Sequence, residues 1–411
     1  MQRITASGAL VAALTLSSFA TAQNVWVVDD TPGPGVAFFT IQDAVNAASN
    51  GDVILVKTGT YGQFIINGKS LVITADTGQT VSLDVPLGAT NLIQNIQFPQ
   101  SVVIRGVRPA SGGKRSAFTI DSCTGFVWFE DSFVYGTTLS NQQSLPGLTV
   151  VSSQTVVLRN TKVRGDSGYS YAGDPSQLAT PGAKGIDATS SGLFLYESTS
   201  NGGMGGSGGF HATLGAINGA NGGDALTLNG GEIYAQGATF TGGTGGLSVP
   251  GGSFGSQGKA LDVSAATNQV VTYNGAAAGA VNILCPWTAL TGPTVQFGAV
   301  APVREGGNVD FNFNCGTPST VYLFLADNPG PQFAIPGFYG PLLFDLLTSS
   351  AISFPSGPVC SGATTYTIVA PPVVPALASI HVVVQSLFTD AGLTYVHVGA
   401  PSQIILLDAA L

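Results

Sequence analysis

Between Phe118 and Asn274 one short pattern returns five times, and the spacing of its copies constrains the fold more than any other feature of the chain. The copies read FTIDSCTGFVWFEDSFVYG from Phe118, LTVVSSQTVVLRNTKVRG from Leu148, IDATSSGLFLYESTSNGG from Ile186, LTLNGGEIYAQGATFTGG from Leu226 and LDVSAATNQVVTYNG from Leu261. Their starts lie 30, 38, 40 and 35 residues apart. The matching cores are shorter than that, so the excess falls in insertions, and constant strands with variable loops are the mark of a solenoid. Each copy alternates apolar and polar residues and is rich in β-branched residues and Thr, which favours strand over helix. One coil of this kind buries nothing alone; stacked coils pair backbone to backbone at about 4.8 Å and share a continuous interior. Parallel strands joined by crossovers take the right-handed path. The expected fold is therefore all-β, a right-handed parallel β-helix. The long constant segments of a propeller and the Leu/Asn spacing of a leucine-rich repeat are absent.

The remaining length places this solenoid between other segments. Met1 to Ala22 reads as a secretory signal: Arg3, an apolar run from Leu10 to Leu16, and the small-residue site Ala20-Thr21-Ala22. No later run of about twenty apolar residues would span a bilayer, so the expected address is secreted or cell surface. The β-helix is expected over 23–278 and a smaller β-sandwich over 279–411, where short strand-like runs alternate with Gly, Pro, Asn and Ser and no helix signal appears. A net charge of −9 with 9% charged residues argues against nucleic-acid binding, which needs a basic face. Cys123, Cys285, Cys315 and Cys360 form no CxxC pair, which argues against a zinc cluster. In an oxidising compartment a Cys315–Cys360 bridge is one of three open connectivities; Cys123 reads as a small buried residue.

Near the start, Thr40 precedes Ile41-Gln42-Asp43-Ala44-Val45-Asn46-Ala47-Ala48, whose apolar residues follow helical spacing, so a helix capped by Thr40 is expected at about 40–49. Thr40-Ile41-Gln42, Ala44-Val45, Ala47-Ala48, Gly51-Asp52, Ile54, Val56 and Gly59-Thr60-Tyr61 together resemble the opening of the pectin-lyase-like superfamily. The resemblance implies that the helix plugs the end of a right-handed β-helix. The two-part arrangement is also similar to exported β-helix proteins of bacteria such as planctomycetes.

Stacking turns the alignment into columns of side chains. With Ser152-Ser153 laid over Ser190-Ser191 and Gly230-Gly231, Thr149, Asp187, Thr227 and Asp262 share a column, joined by Thr119 or Asp121. Arg159 falls opposite Glu197, with Glu130 or Asp131 on its other side. The superfamily resemblance implies that acids and a base at this spacing can serve a polysaccharide lyase, with Ca²⁺ as its cofactor; the bland alternative, a salt ladder between coils, is preferred. The Gly-His-Gly and Arg-x-Lys runs of polygalacturonases and the motif of pectin methylesterases are not matched. His211, His381 and His397 are too scattered for a metal site. Candidate catalytic residues are thus Glu130, Asp131, Arg159, Asp187 and Glu197, none singled out, and candidate glycan-binding residues are Arg105, Arg108, Trp128, Arg159 and Arg164. Three Gly-rich insertions, Asp166 to Lys184, Gly202 to Asp224 and Gly242 to Lys259, leave the solenoid at equivalent points and read as packed backbone or filler. The expected function is non-catalytic: an exported protein in structure, adhesion or polysaccharide recognition, with a lyase or glycoside hydrolase of acidic polysaccharide as the alternative and a polysaccharide or cell-surface glycan as the expected partner.

Overall fold

The computed structural model describes residues 23–111, 115–139, 141–173, 178–263, 270–285, 287–289, 295–326, 329–333, 338–339, 341–344, 350–353, 359–373, 378–389 and 396–411; the expected signal segment, Met1 to Ala22, lies outside the described residues. The chain is all-β, with large parallel sheets compatible with a β-helix. Nineteen of its strands join in a single sheet. Phe118, Leu148, Ile186, Leu226 and Leu261 stand side by side on successive parallel strands, as the repeat requires. Each tier carries a first strand such as Leu148–Val151, a second such as Thr155–Arg159 and a third such as Lys162–Arg164, all paired with their counterparts one repeat away. Ile120, Val127, Phe129 and Val134, with their equivalents on other tiers, point into one continuous apolar interior. Parallel pairing runs past 278: Val281–Ile283 and Trp287–Ala289 continue it.

The helix Ile41–Ala47 begins where Thr40 Oγ1 accepts the Asp43 amide at 3.1 Å. Its Ile41, Ala44 and Val45 are buried in the same interior as Val28, Ile54 and Phe64.

Two corners are turned identically from tier to tier. At the first, Ser122, Ser152 and Ser190 have φ of 54°, 47° and 50°, and Gly230 takes the same place at 84°. At the second, Asp131, Asn160 and Glu197 have φ of 51°, 44° and 52°. A left-handed residue bends the strand sharply and leaves the next side chain pointing inward. After Ser152, Ser190, Asn160 and Glu197 that side chain is a hydroxyl which bonds back to the carbonyl two residues earlier: Ser153 to Val151 at 2.8 Å, Ser191 to Thr189 at 2.7 Å, Thr161 to Arg159 at 2.9 Å and Ser198 to Tyr196 at 2.9 Å. The same oxygens accept amides from the tier before, Ser191 from Ser153 N at 3.1 Å and Ser198 from Thr161 N at 3.0 Å, so these buried hydroxyls are paired. Cys123 is fully buried and occupies the position of Ser153 in this ladder.

The glycine-rich insertions are ordered by hydrogen bonds that recur every third residue. Gly202, Gly205 and Gly208 donate to Thr241, Thr244 and Leu247, while Gly203 and Gly206 donate to Ala183 and Thr180. Gly219, Gly222 and Ala225 donate to Ser253, Ser256 and Lys259, while Ala220 and Gly223 donate to Gly206 and Gly203. Three residues per turn and no bond within a segment define polyproline-II geometry. The insertions thus form a lattice of outgoing and returning extended segments, parallel to their equivalents on neighbouring tiers and antiparallel to the alternate set. Glycine is required by contact: a Cβ on Gly206 would lie 1.8 Å from the Tyr169 carbonyl oxygen, and one on Gly243 1.9 Å from that of Gly203. Residues between the donating ones, such as Met204, Asn221 and Thr244, are exposed.

Residues 295–407 build an eight-stranded, mainly antiparallel sheet. Its longest strand, Asn308–Ala326, pairs with Val295–Ala299 and Val359–Val369 along its first half and with Ser379–Thr389 along its second. Phe297, Phe311, Phe313, Val382, Phe388 and Ile404 belong to a second apolar core, and Cys315 and Cys360 are joined in a disulfide inside it.

The lattice geometry sets the cost of disturbing it. Gly206→Ala and Gly243→Ala should each lower stability by about 1–3 kcal/mol through overpacking against rigid backbone, read as an earlier denaturant midpoint. Gly62→Ala, where a Cβ meets nothing within 4 Å, should stay within about 0.5 kcal/mol of the parent.

Candidate functional site

Of the sequence-predicted acids and arginines, Arg105, Glu130 and Arg159 stand side by side on the outward face of the second strand of successive tiers. One outward column carries Val72, Val103, Trp128, Val157, Phe194 and Tyr234. The next carries Thr74, Arg105, Glu130, Arg159, Tyr196 and Gln236. An outward face this apolar must be covered, and the C-terminal sheet covers it. Val53, Leu55, Val72, Val103, Trp128, Val157, Phe194 and Tyr196 form one buried cluster with Leu342, Leu343, Val383, Leu387, Val398, Ala400, Ile405 and Leu407. Alternation divides the strand Val396–Leu407 between two environments: Ile405 and Leu407 meet the parallel stack, Ile404 and Leu406 their own core.

Inside this junction Glu130 is fully buried. It accepts Arg159 Nη1 at 2.5 Å, the Ser402 hydroxyl at 2.6 Å and the Gln403 amide at 3.2 Å, with Arg105 Nη1 at 3.5 Å from its second oxygen. Arg105 donates to the carbonyls of Gln403 and Ala299, each at 2.9 Å, and to Asp131 at 2.8 Å. Arg159 reaches the Phe297 carbonyl at 3.1 Å. Two cations and two carboxylates balance, and strands Val295–Ala299 and Val396–Leu407 supply the remaining partners. Burial draws the Arg159 guanidinium toward deprotonation, but Glu130, Asp131 and Glu197 outweigh it and raise its pKa. Gly298 makes the approach possible, since a Cβ there would sit 1.7 Å from Arg159 Nη2. A second link lies at Asp76, which takes Arg304 through both oxygens at 3.1 and 3.0 Å and Lys57 at 2.5 Å. Burial pushes the Asp76 carboxyl up, yet the hydrogen bonds from Arg304, Lys57 and the Thr77 amide leave it below its ordinary value.

Several sequence expectations are corrected by this geometry. Arg159 stands beside Tyr196, not Glu197: the corner before Thr155 holds one more residue, Gln154, than the corner before Gly192, so an ungapped overlay slips by one. Glu197 follows at the bend, half-buried, where burial raises its carboxyl against the pull of Arg159. Trp128 is 1% exposed in the junction and offers no platform to a sugar. The four arginines do not make one surface patch. Arg105 and Arg159 are buried, Arg108 is exposed on Val107–Pro109, and Arg164 lies over the Tyr135 ring at 5.5 Å. The column Thr119, Thr149, Asp187, Thr227, Asp262 does form, Thr119 being its member and not Asp121. Asp187 pairs with Lys184 at 2.9 Å and Asp262 with Lys259 at 2.7 Å, each a local partly exposed pair. His211 sits in the Gly-rich region, while His381 and His397 lie in the C-terminal sheet. Among the described residues, no three His, Cys, Asp or Glu side chains gather as a metal site, and no helix is long and apolar enough to cross a membrane.

Sequence reasoning missed the partners Gly298, Ser402 and Gln403 because they lie up to 273 residues from Glu130. It also missed an open groove of about 620 Å³ at the first corner, lined by Phe98, Thr124, Phe126, Gln154, Thr155, Ser190, Ser191, Gly192, Gly231 and Glu232. Comparison with protein-family models, curated proteins and solved structures returns no match.

The junction has two measurable consequences. Glu130→Ala should destabilise the protein by about 3–5 kcal/mol, because two buried guanidinium groups lose their shared counter-charge; replacing Arg105, Glu130 and Arg159 together by apolar residues should cost less, as denaturant titration of both variants would show. Asp76 has a lowered pKa, so its share of stability is complete above the ordinary value of 3.8 and is lost as pH falls through the lower folded value. Arg304→Met should flatten that acid limb in denaturation midpoints measured between about pH 2 and 5.

Proposed function

We propose that this chain is an exported, non-catalytic protein of the cell surface or extracellular space, built as a right-handed parallel β-helix plugged by its N-terminal helix and braced by a C-terminal β-sandwich. The fold reading rests on in-register tiers and on the resemblance of the opening residues to the pectin-lyase-like superfamily; export rests on the signal-like Met1 to Ala22. One observation carries the non-catalytic reading. Glu130 and Arg159, two of the five candidate catalytic residues, are buried and hydrogen-bonded to the C-terminal strands, and Asp187 is held in a local pair with Lys184. A base with no access to substrate cannot take its proton. Among its described lining residues the exposed groove holds one carboxylate, Glu232, whereas glycoside hydrolysis needs a pair about 5 to 10 Å apart.

On this reading the role is structural: a stiff column that carries its glycine lattice and open groove outward, in adhesion or glycan recognition. Prolonged incubation of the mature protein with pectate, alginate and neutral glycans, followed by product analysis, should give neither unsaturated ends nor shortened chains. Either product would overturn the non-catalytic reading and restore the polysaccharide lyase or hydrolase alternative.

A further inference from the structure

The groove at the first corner runs down the stack and not around it. Phe126 pairs with Thr155 and Gly192 with Glu232, and the neighbouring Val156–Leu193 pair sets Thr155 beside Gly192, so the four stand on consecutive tiers. Phe98 belongs to the tier before. Five tiers at about 4.8 Å give a trough about 19 Å long, the span of roughly four sugar rings in an extended chain. Its floor is low because Ser190, Ser191, Gly192 and Gly231 are small. Gly192 is held to glycine by the Gln154 carbonyl oxygen, 2.1 Å from where a Cβ would stand.

At one end Phe98 is 54% exposed on a braced turn. Its amide donates to Thr124 Oγ1 at 3.3 Å, Thr124 donates to Gln97 Oε1 at 3.0 Å, and Gln100 closes the turn through Gln97 N and O at 3.0 and 2.6 Å. Along the trough Gln154, the extra residue of its corner, and Ser190 are exposed and present an amide and a hydroxyl. Among its described lining residues none is lysine or arginine, and the chain carries a net charge of −9.

From an exposed aromatic ring, neutral hydrogen-bonding groups along the trough and a described lining without a basic side chain, we propose that this trough binds a linear neutral glycan and discriminates against polyuronates. The aromatic ring stacks on a pyranose face, the amide and hydroxyls pair with sugar hydroxyls, and the net charge of −9 disfavours an acidic chain that finds no lysine or arginine to pair with. This inference builds on the non-catalytic reading but is separable from it, since binding and cleavage are read independently.

The test is isothermal titration of the full mature chain with cellohexaose, mannohexaose and hexagalacturonate, repeated for Phe98→Ala and Gln154→Ala, with Phe210→Ala as a control at another exposed aromatic. At least one neutral hexamer should bind and hexagalacturonate should not. Phe98→Ala should weaken binding about five- to tenfold, Gln154→Ala should weaken it less, and Phe210→Ala should leave it unchanged. Absence of binding by both neutral hexamers, equal or tighter binding of hexagalacturonate, or unchanged binding by Phe98→Ala would overturn the proposal while leaving the non-catalytic reading intact. Cleavage of a bound hexamer would instead overturn the non-catalytic reading.

Discussion

Backbone pairing between equivalent strands of neighbouring tiers is the interaction on which the rest of the structure depends. It sets a repeat of about 4.8 Å and forces residues one repeat apart into the same column. Every other feature is a consequence of what stands in those columns. Inward columns of Val, Leu, Ile and Phe make the interior; the hydroxyls of Ser153, Thr161, Ser191 and Ser198, each following a left-handed residue, close the bends. Cys123 shows how tolerant this ladder is, since a thiol takes the place of a serine hydroxyl without a break in the stack.

An outward column of large apolar residues is a liability unless something covers it, and here the C-terminal sheet does. Its placement is specified by charge as well as by apolar contact. Arg105, Glu130, Arg159 and Asp131 form a neutral group whose remaining hydrogen bonds are completed by Ala299, Phe297, Ser402 and Gln403. Such a group adds little net stability against an apolar alternative, but it penalises every docking that leaves a charge unpaired. Glu130, Asp131 and Arg159 are catalytic candidates when read as types and spacings, and Arg105 a glycan-binding one. In place they are a joint.

The glycine-rich insertions follow the same logic by other means. They begin at one column and return beside each other, so the tiers set their mutual spacing, and segments with few side chains then approach closely enough for period-three bonding. Glycine is often read as flexibility; within this lattice, carbonyl oxygens about 2 Å from where Cβ atoms would stand make it a requirement of packing.

Much of this was legible in the amino-acid order because solenoid contacts are nearly local: each tier touches the next, about 30 to 40 residues on. The five copies, the helix from Ile41 to Ala47 and the column from Thr149 to Asp262 follow from periodicity alone, whereas the choice of Thr119 over Asp121 as its first member does not. The slip at Gln154 did not, since one residue added at a bend leaves the apolar alternation on either side intact. What only the tertiary structure decided is which outward columns meet water. Glu130 and Ser402 are 272 residues apart, no periodicity links them, and solvent exposure belongs to the assembled surface, not to any stretch of chain.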